Sequence, residues 1–335
     1  MPHPTLLLVG DIGGTSTRLA LVSVADGVPS VLHDTVLRSA SYAGVEEPAL
    51  ELLRRAPARP SRAVFAVAGP VLDGRAALTN LSWVLDEDEL RRTLDLGSVR
   101  LVNDLVAMAE AIPQLAREAL ATLQPGRPAP GGTIALVAPG TGLGQAFLTW
   151  NGTGYRAHPS EGGHADFAPA DDLQVELLRW LRARLGHVST ERVCCGRALP
   201  DLYRFLLERG TGPESPAVAE RLAAADDATP VLIGAALDPE RPCPVSRAAV
   251  ELLAAILAAE AGNVALRSLA TGGVYLGGGL PRRLLPVLQR PAFAERFRDK
   301  GRLSPLLARI ALHVVVRPNL GLVGAIQCAL GFHDD

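Results

Sequence analysis

One local pattern occurs twice in this chain, and any fold must accommodate both copies. Leu6–Val9 is an apolar run, Gly10–Gly14 break it, Arg18–Val24 resume it, and Ala25-Asp26-Gly27 turns the chain again. That order predicts strand, glycine turn, strand, turn, strand. Thr133–Val137, then Pro139-Gly140-Thr141-Gly142-Leu143-Gly144, then Gln145–Trp150 and the turn Asn151-Gly152 repeat the order. Two copies of one supersecondary unit suggest two related lobes, and 335 residues suit about two domains at roughly 100–200 residues each.

Between the copies, Ala63–Val67 reads as a buried strand, Asp86–Leu94 as a helix opened by acidic residues, Val99–Val102 as a strand and Leu105–Ala111 as a helix. Such alternation is the mark of an α/β protein. The Pro/Gly-rich segment Gln124–Gly132 reads as a surface loop where one lobe hands over to the next. Helices are expected over Asp171–Leu185, Arg197–Arg209, Pro216–Asp226 and Ser246–Leu269. Strands follow at Gly273–Leu276 and His313–Val316, and a last helix from about Leu322 is expected to pack back on the first lobe.

Charge and rare residues narrow the function classes. The 33 Lys plus Arg against 35 Asp plus Glu offer no positive excess for nucleic acid or a membrane surface. Lys300 is the only lysine, so there is no Gly-Lys-Ser/Thr phosphate loop and no strand lysine of the protein-kinase type, and a Schiff-base enzyme would have to rest on Lys300 itself. Cys194, Cys195, Cys243 and Cys328 are too few and scattered for a disulfide scaffold or a paired Cys-x-x-Cys metal site, so a cytoplasmic setting is expected. Leu6–Val9 is too short for a signal-peptide core, and the apolar run Leu252–Ala259 falls well below the ~20 residues of a membrane span.

Several segments could carry chemistry. Asp11-Ile12-Gly13-Gly14-Thr15 is expected in a tight turn whose glycines permit positive φ and let N–H groups face an anion. The alternative is a plain hairpin turn with Asp11 solvated. Gly140–Gly144 is a second such turn, and the pair could hold a polyphosphate from two sides. Neither opens a helix at dinucleotide spacing, which argues against a Rossmann enzyme. Asn103-Asp104 ends a strand and opens a helix, so Asp104 is either its N-cap or a catalytic carboxylate within reach of an alcohol, and the two are compatible. Glu161-Gly162-Gly163-His164, followed by Asp166, suggests a polar ligand site; Glu191 follows Ser189-Thr190 and could simply lie in a capped first turn.

In order, these segments resemble the bacterial ATP-dependent glucokinase family, whose actin-like, ribonuclease H-like fold is shared by sugar kinases and a chaperone ATPase. The resemblance rests on Val9–Thr15 with Arg18–Leu21, Thr79-Asn80 with Trp83, Asn103-Asp104, Gly140–Gly144, and Glu161–His164 with Asp166–Pro169. It continues through Gly186–Ser189 with Glu191–Val193, Gly272–Val274 with Gly278-Gly279, and Asp299–Arg302. It implies a two-lobed α/β fold with the active site in the cleft between lobes, the small lobe being residues 1–114 with 318–335 and the large lobe 115–317.

The resemblance also implies roles. Asp104 would be the base for the sugar's 6-hydroxyl as it attacks the γ-phosphate of ATP. Asn103, Glu161, His164 and Glu191 would bind the other hydroxyls. Asp11 would act near Mg²⁺ through water, Gly13, Gly14, Thr15, Gly140, Thr141, Gly142 and Gly144 would hold phosphates, and Gly278 and Gly279 would admit the adenosine. D-glucose is the implied acceptor and a homodimer the implied assembly. A kinase for another hexose and a non-catalytic sugar sensor are the alternatives; the cysteine-rich zinc motif that a related group of sugar kinases carries after its His is missing here, so no structural metal is expected. Pro139 before Gly140 departs from the family pattern and removes one N–H donor.

Overall fold

The computed structural model describes residues 5–78, 81–241 and 243–331. Two compact units divide the chain: Met1–Leu115, Tyr155–Pro159 and Pro318–Asp335 in one, Ala116–Gly154 and Ser160–Arg317 in the other.

In the first unit, β1 (Thr5–Ile12), β2 (Ser16–Ala25) and β3 (Val28–Arg38) form an antiparallel meander. Then come α1 (Glu46–Leu53), β4 (Arg62–Val67), a small ribbon of β5 (Arg75–Ala77) and β6 (Val84–Asp86), α2 (Glu87–Thr93), β7 (Ser98–Asn103) and α3 (Asp104–Ala111). The sheet order is β3-β2-β1-β4-β7, with β4 parallel to both β1 and β7. Asp86 caps α2 by accepting from Glu89 N at 3.0 Å, which is why the acidic run opens a helix there.

The second unit holds β8 (Leu120–Gln124), β9 (Ile134–Pro139), β10 (Leu143–Trp150), α4 (Asp172–Leu185), α5 (Leu199–Glu208), α6 (Pro216–Ala223), α7 (Ala228–Leu237) and α8 (Pro244–Arg267), while β11 (Tyr155–Ser160) is counted with the first unit up to Pro159. It continues with β12 (Gly273–Leu276), α9 (Gly279–Arg283), α10 (Leu285–Leu288), α11 (Pro291–Arg298), α12 (Ser304–Leu307) and β13 (Leu312–Val315). The last helix, α13 (Leu320–Gly331), belongs to the first unit. The larger sheet runs β11-β10-β9-β12-β13-β8. Its first five strands repeat the order of the first sheet, hairpins followed by two parallel strands, so the duplication legible in two glycine turns extends to the whole sheet.

β1 shows how the sequence dictates the layers. Successive side chains point to opposite faces: Leu8 and Ile12 enter a core with α1-side residues Ala49 and Leu52, while Leu7 and Val9 meet Ala107 of α3 and Leu322, Ala325 and Ile326 of α13. Both faces are buried, so the strand reads as a continuous apolar run, and each fully buried Leu or Val contributes roughly 1.5–3 kcal/mol. The closing helix therefore packs on the first sheet, as expected.

Three expectations change, and one stretch without a sequence expectation takes a definite form. β1 continues through Asp11 and Ile12, so Asp11 is a strand residue rather than a turn residue. Gln124–Gly132 follows β8, a strand the sequence did not announce, and Arg127 N donates to Arg309 O at 2.6 Å within the second unit. The region 279–307 is a chain of short helices, several begun by Pro at their first turn, which interrupts the periodicity a sequence pattern needs. Finally, α8 spans 24 residues with mean hydropathy 1.7 over its most apolar stretch, long and apolar enough to cross a membrane by length and composition. That stretch is 78% buried inside the protein, and Glu251 and Glu260 only break it into shorter runs; α8 is the central helix of the second core.

Candidate functional site

The candidate residues fall into one group in each unit. In the first, β1, β4 and β7 end together: Ile12 pairs with Val67, and Val67 with Asn103. Asp11 and Asn103-Asp104 thus lie at the carboxyl edge of one parallel sheet, where α/β proteins bind ligands. Asn103, not Asp104, caps α3. Its Oδ1 accepts from Leu105 N at 3.0 Å and Val106 N at 3.2 Å, and its Nδ2 donates to Gly69 O at 3.0 Å. An amide that does this has one N–H left to offer a ligand. Asp104 is the first helical residue, half-buried, and its Oδ1 accepts from Leu105 N at 2.9 Å.

Asp11 has the odd-numbered parity of Leu7 and Val9, so it faces α13. Burial pushes its carboxyl up to about 6, opposed by the charge of Arg18. Its carboxylate lies against Gly321 at the start of α13: a Cβ there would sit 2.6 Å from Asp11 Cγ and closer still to Oδ2. A Gly321→Ala variant is expected to displace the carboxylate while leaving the melting temperature almost unchanged, since a short side chain can swing. Turnover should fall by roughly tenfold or more; wild-type kcat and KM for ATP in this variant would remove the contact from the account.

Gly13, Gly14 and Thr15 form the β1–β2 turn, but neither glycine has positive φ. Gly13 N donates to Ser16 O at 3.0 Å, so it is already engaged. The turn is braced by Ser39, fully buried, whose Oγ donates to Gly13 O at 2.8 Å and whose N donates to Thr15 O at 3.2 Å. Nothing local in the sequence marks Ser39, which comes from the far end of β3. Thr79-Asn80 lies outside the described residues; nearby Trp83 is buried and donates its Nε1–H to Tyr42 O at 3.0 Å.

The second unit brings its candidates together. The β9–β10 turn spans Gly140, Thr141 and Gly142, with Gly144 in β10; Gly140 N donates to Gly142 O at 2.8 Å, and Gly196 N donates to Gly140 O at 2.8 Å. Pro139 ends β9 opposite Leu143. Glu191 Oε2 accepts from Leu143 N at 2.8 Å, and a Cβ on Gly142 would collide with that carboxylate. Glu191 opens a short 3₁₀ turn after Thr190, which makes no side-chain cap. Its carboxylate is therefore a brace of the second glycine turn, a role the sequence reading did not assign. Gly278 has φ +86 and packs near Pro139 O, placing Gly278 and Gly279 beside the same turn.

Glu161 and His164 flank a 3₁₀ turn at Gly162–His164. His164 Nε2 is 3.8 Å from Glu161 Oε2, with both side chains mostly exposed. Thr190 N donates to Ala165 O at 2.9 Å and Phe167 N to Val188 O at 3.0 Å, so backbone pairing draws Glu161–His164 toward Glu191. Cys194 and Cys195 pack in the second core, and burial pushes Cys195 up to about 11 and Cys194 well above its usual range. That makes both poor nucleophiles.

Two sheets of this repeated order, each with glycine turns at the hairpin and polar residues at strand ends, define the class as actin-like, two-lobed sugar kinases. The sequence profile of the glucokinase family matches residues 8–331. A glucokinase of Nostoc sp. is 40% identical over 343 aligned positions, covering 97% of this chain and 99% of that one. A Caulobacter vibrioides glucokinase is 37% identical, covering 95% and 93%. The solved glucokinase of an Antarctic psychrotroph superposes with TM-score 0.81 at 30% identity, covering 98% and 99%. The chain belongs to the glucokinase family. It is a phosphotransferase that phosphorylates glucose with ATP.

Proposed function

We propose that the transfer is from MgATP to the 6-hydroxyl of D-glucose, with Asp104 taking the proton from that hydroxyl as its oxygen attacks the γ-phosphorus. The observation that carries this reading is the placement of Asp104 at the carboxyl edge of the first sheet, immediately after a cap that fixes the start of α3. Asn103 holds Leu105 N and Val106 N, and Asp104 Oδ1 shares Leu105 N with it.

Glu161, His164, Glu191 and the remaining Asn103 N–H bind the other sugar hydroxyls. A sugar lacking one of them leaves a polar group unpaired, at about 1–3 kcal/mol. The turns at Gly13–Thr15 and Gly140–Gly144 hold phosphates, and Gly278 and Gly279 lie along the adenosine. A buried carboxylate whose ionisation is opposed by burial fits a divalent cation: Asp11 would hold Mg²⁺ through water, since Mg²⁺ retains several of its waters. The ion supplies charge neutralisation on the phosphates.

Residues 1–114 with 318–335 serve as the small lobe and 115–317 as the large lobe. The protein works as a cytoplasmic homodimer; its free cysteines suit a reducing compartment. The test is purified protein with MgATP and a panel of glucose, mannose, fructose, glucosamine and N-acetylglucosamine, reading ADP and sugar phosphate separately. Turnover confined to glucose is expected. Faster turnover with another hexose would reassign the acceptor, and glucose binding without any turnover would favour a sensor.

A further inference from the structure

We propose that Gln145 is a positioning residue for the sugar-side segment Ser160–His164, and that Glu260 holds it in place for that purpose. The inference rests on reading Glu161 and His164 as sugar-binding groups. Gln145 lies in β10, 3% exposed, and donates its Nε2–H to Glu260 Oε1 at 2.8 Å. An amide whose nitrogen is committed to a carboxylate has its oxygen direction fixed. That oxygen faces Gly162: a Cβ on Gly162 would collide with Gln145 Oε1 and lie 3.1 Å from its Cδ. The backbone between Glu161 and His164 therefore rests directly on the Gln145 amide.

Glu260 is itself over-determined. It sits in the apolar helix α8, 3% exposed, and accepts from Arg267 Nη1 and from Asn263 Nδ2, each at 3.0 Å. Asn263 is oriented in turn by the only lysine, since Lys300 Nζ donates to Asn263 Oδ1 at 2.8 Å and to Ala259 O at 3.0 Å. A chain of named bonds thus runs from Lys300 through Asn263, Glu260 and Gln145 to Gly162.

Two observations separate this from ordinary packing. A carboxylate buried in an apolar helix carries a desolvation cost that an aliphatic pair of equal volume would avoid. In addition, Gln145, Ser160 and Gly162 line a cavity of about 240 Å³ with Phe147, Thr149 and Arg267. Gly162 N donates to Ser160 Oγ at 3.1 Å within the segment and Gly163 lies against Leu143 O of β10, so the Gln145 amide is the side-chain contact that β10 makes to Gly162, beside open volume.

The test compares Gln145→Leu, Glu260→Ala, the double variant and Glu161→Gln in steady-state kinetics, with melting temperature as the structural readout. Gln145→Leu is expected to raise KM for glucose about tenfold, since a small misplacement of binding groups is enough for an effect of that order, with KM for ATP unchanged. Glu260 does not touch Gly162, so Glu260→Ala should reproduce the effect and the double variant should add nothing further; if Glu260→Ala does not fold, Gln145→Leu still decides. Additive effects, or both KM values moving in step with a lowered melting temperature, would overturn the positioning role. An unchanged glucose KM in Gln145→Leu alongside a raised one in Glu161→Gln would overturn it too, while leaving the sugar-side reading intact. An unchanged glucose KM in both variants would overturn that reading, and the proposal with it.

Discussion

Asp104→Asn is expected to lower kcat by roughly 10²–10⁴, the range general-base removal commonly gives, while glucose still binds. Local geometry makes the separation clean. Asn103 holds the first-turn amides of α3, so the helix start does not depend on the Asp104 charge. The bond from Leu105 N to Asp104 Oδ1 at 2.9 Å can be kept by an amide oxygen. What the substitution removes is the capacity to accept a proton. Steady-state turnover and glucose calorimetry on the same preparation check it. Wild-type turnover would remove Asp104 from the chemistry, and lost binding with intact kcat would make it a ligand of the sugar only.

The second large effect is on stability. Gly324 of α13 lies against the backbone of α3: a Cβ there would overlap the Ala107 carbonyl oxygen and its carbon, and would lie 3.0 Å from Met108 N. A backbone carbonyl cannot rotate aside as a side chain can, so α3 and α13 must separate. Gly324→Ala is expected to cost about 3 kcal/mol, the upper part of the overpacking range, and to lower the melting temperature by roughly 5–10 °C. Turnover should fall as well, because the displaced helix begins at Asp104. Gly331→Ala, at the end of the same helix with nothing among the described residues near the added methyl, should melt with the parent. Equal melting of the Gly324 variant would show that the helices do not approach this closely.

The repeated strand and glycine-turn order was legible because each copy carries its own local signal, an apolar run broken by glycines. The remaining strands of each sheet follow from the same pattern once two copies are granted. Short elements were not legible: β8 and the Pro-started helices between residues 279 and 307 are set by tertiary packing rather than by a period of their own. In the site, residue types marked candidate segments but not the local bonds their side chains make. A strand end followed by a helix leaves open whether Asn103 or Asp104 is the cap, and only the hydrogen bonds assign it. Glu191 on Leu143 N and Ser39 on Gly13 O join residues 48 and 26 positions apart, a distance over which no turn or cap signature operates. The positive φ expected of Gly13 and Gly14 is absent, since a hairpin between antiparallel strands does not require it there. At Gly142 what excludes a side chain is the neighbouring Glu191 carboxylate.

Transfer to the 6-hydroxyl is tested most directly by comparing D-glucose with 6-deoxyglucose as acceptors, with ATP and Mg²⁺ present, and identifying the phosphorylated carbon by NMR. Glucose 6-phosphate is expected to form one for one with ADP, and 6-deoxyglucose to bind without phosphoryl transfer, because the attacking oxygen is missing. A phosphorylated 6-deoxy sugar, or a glucose product carrying phosphate on any other carbon, would contradict it.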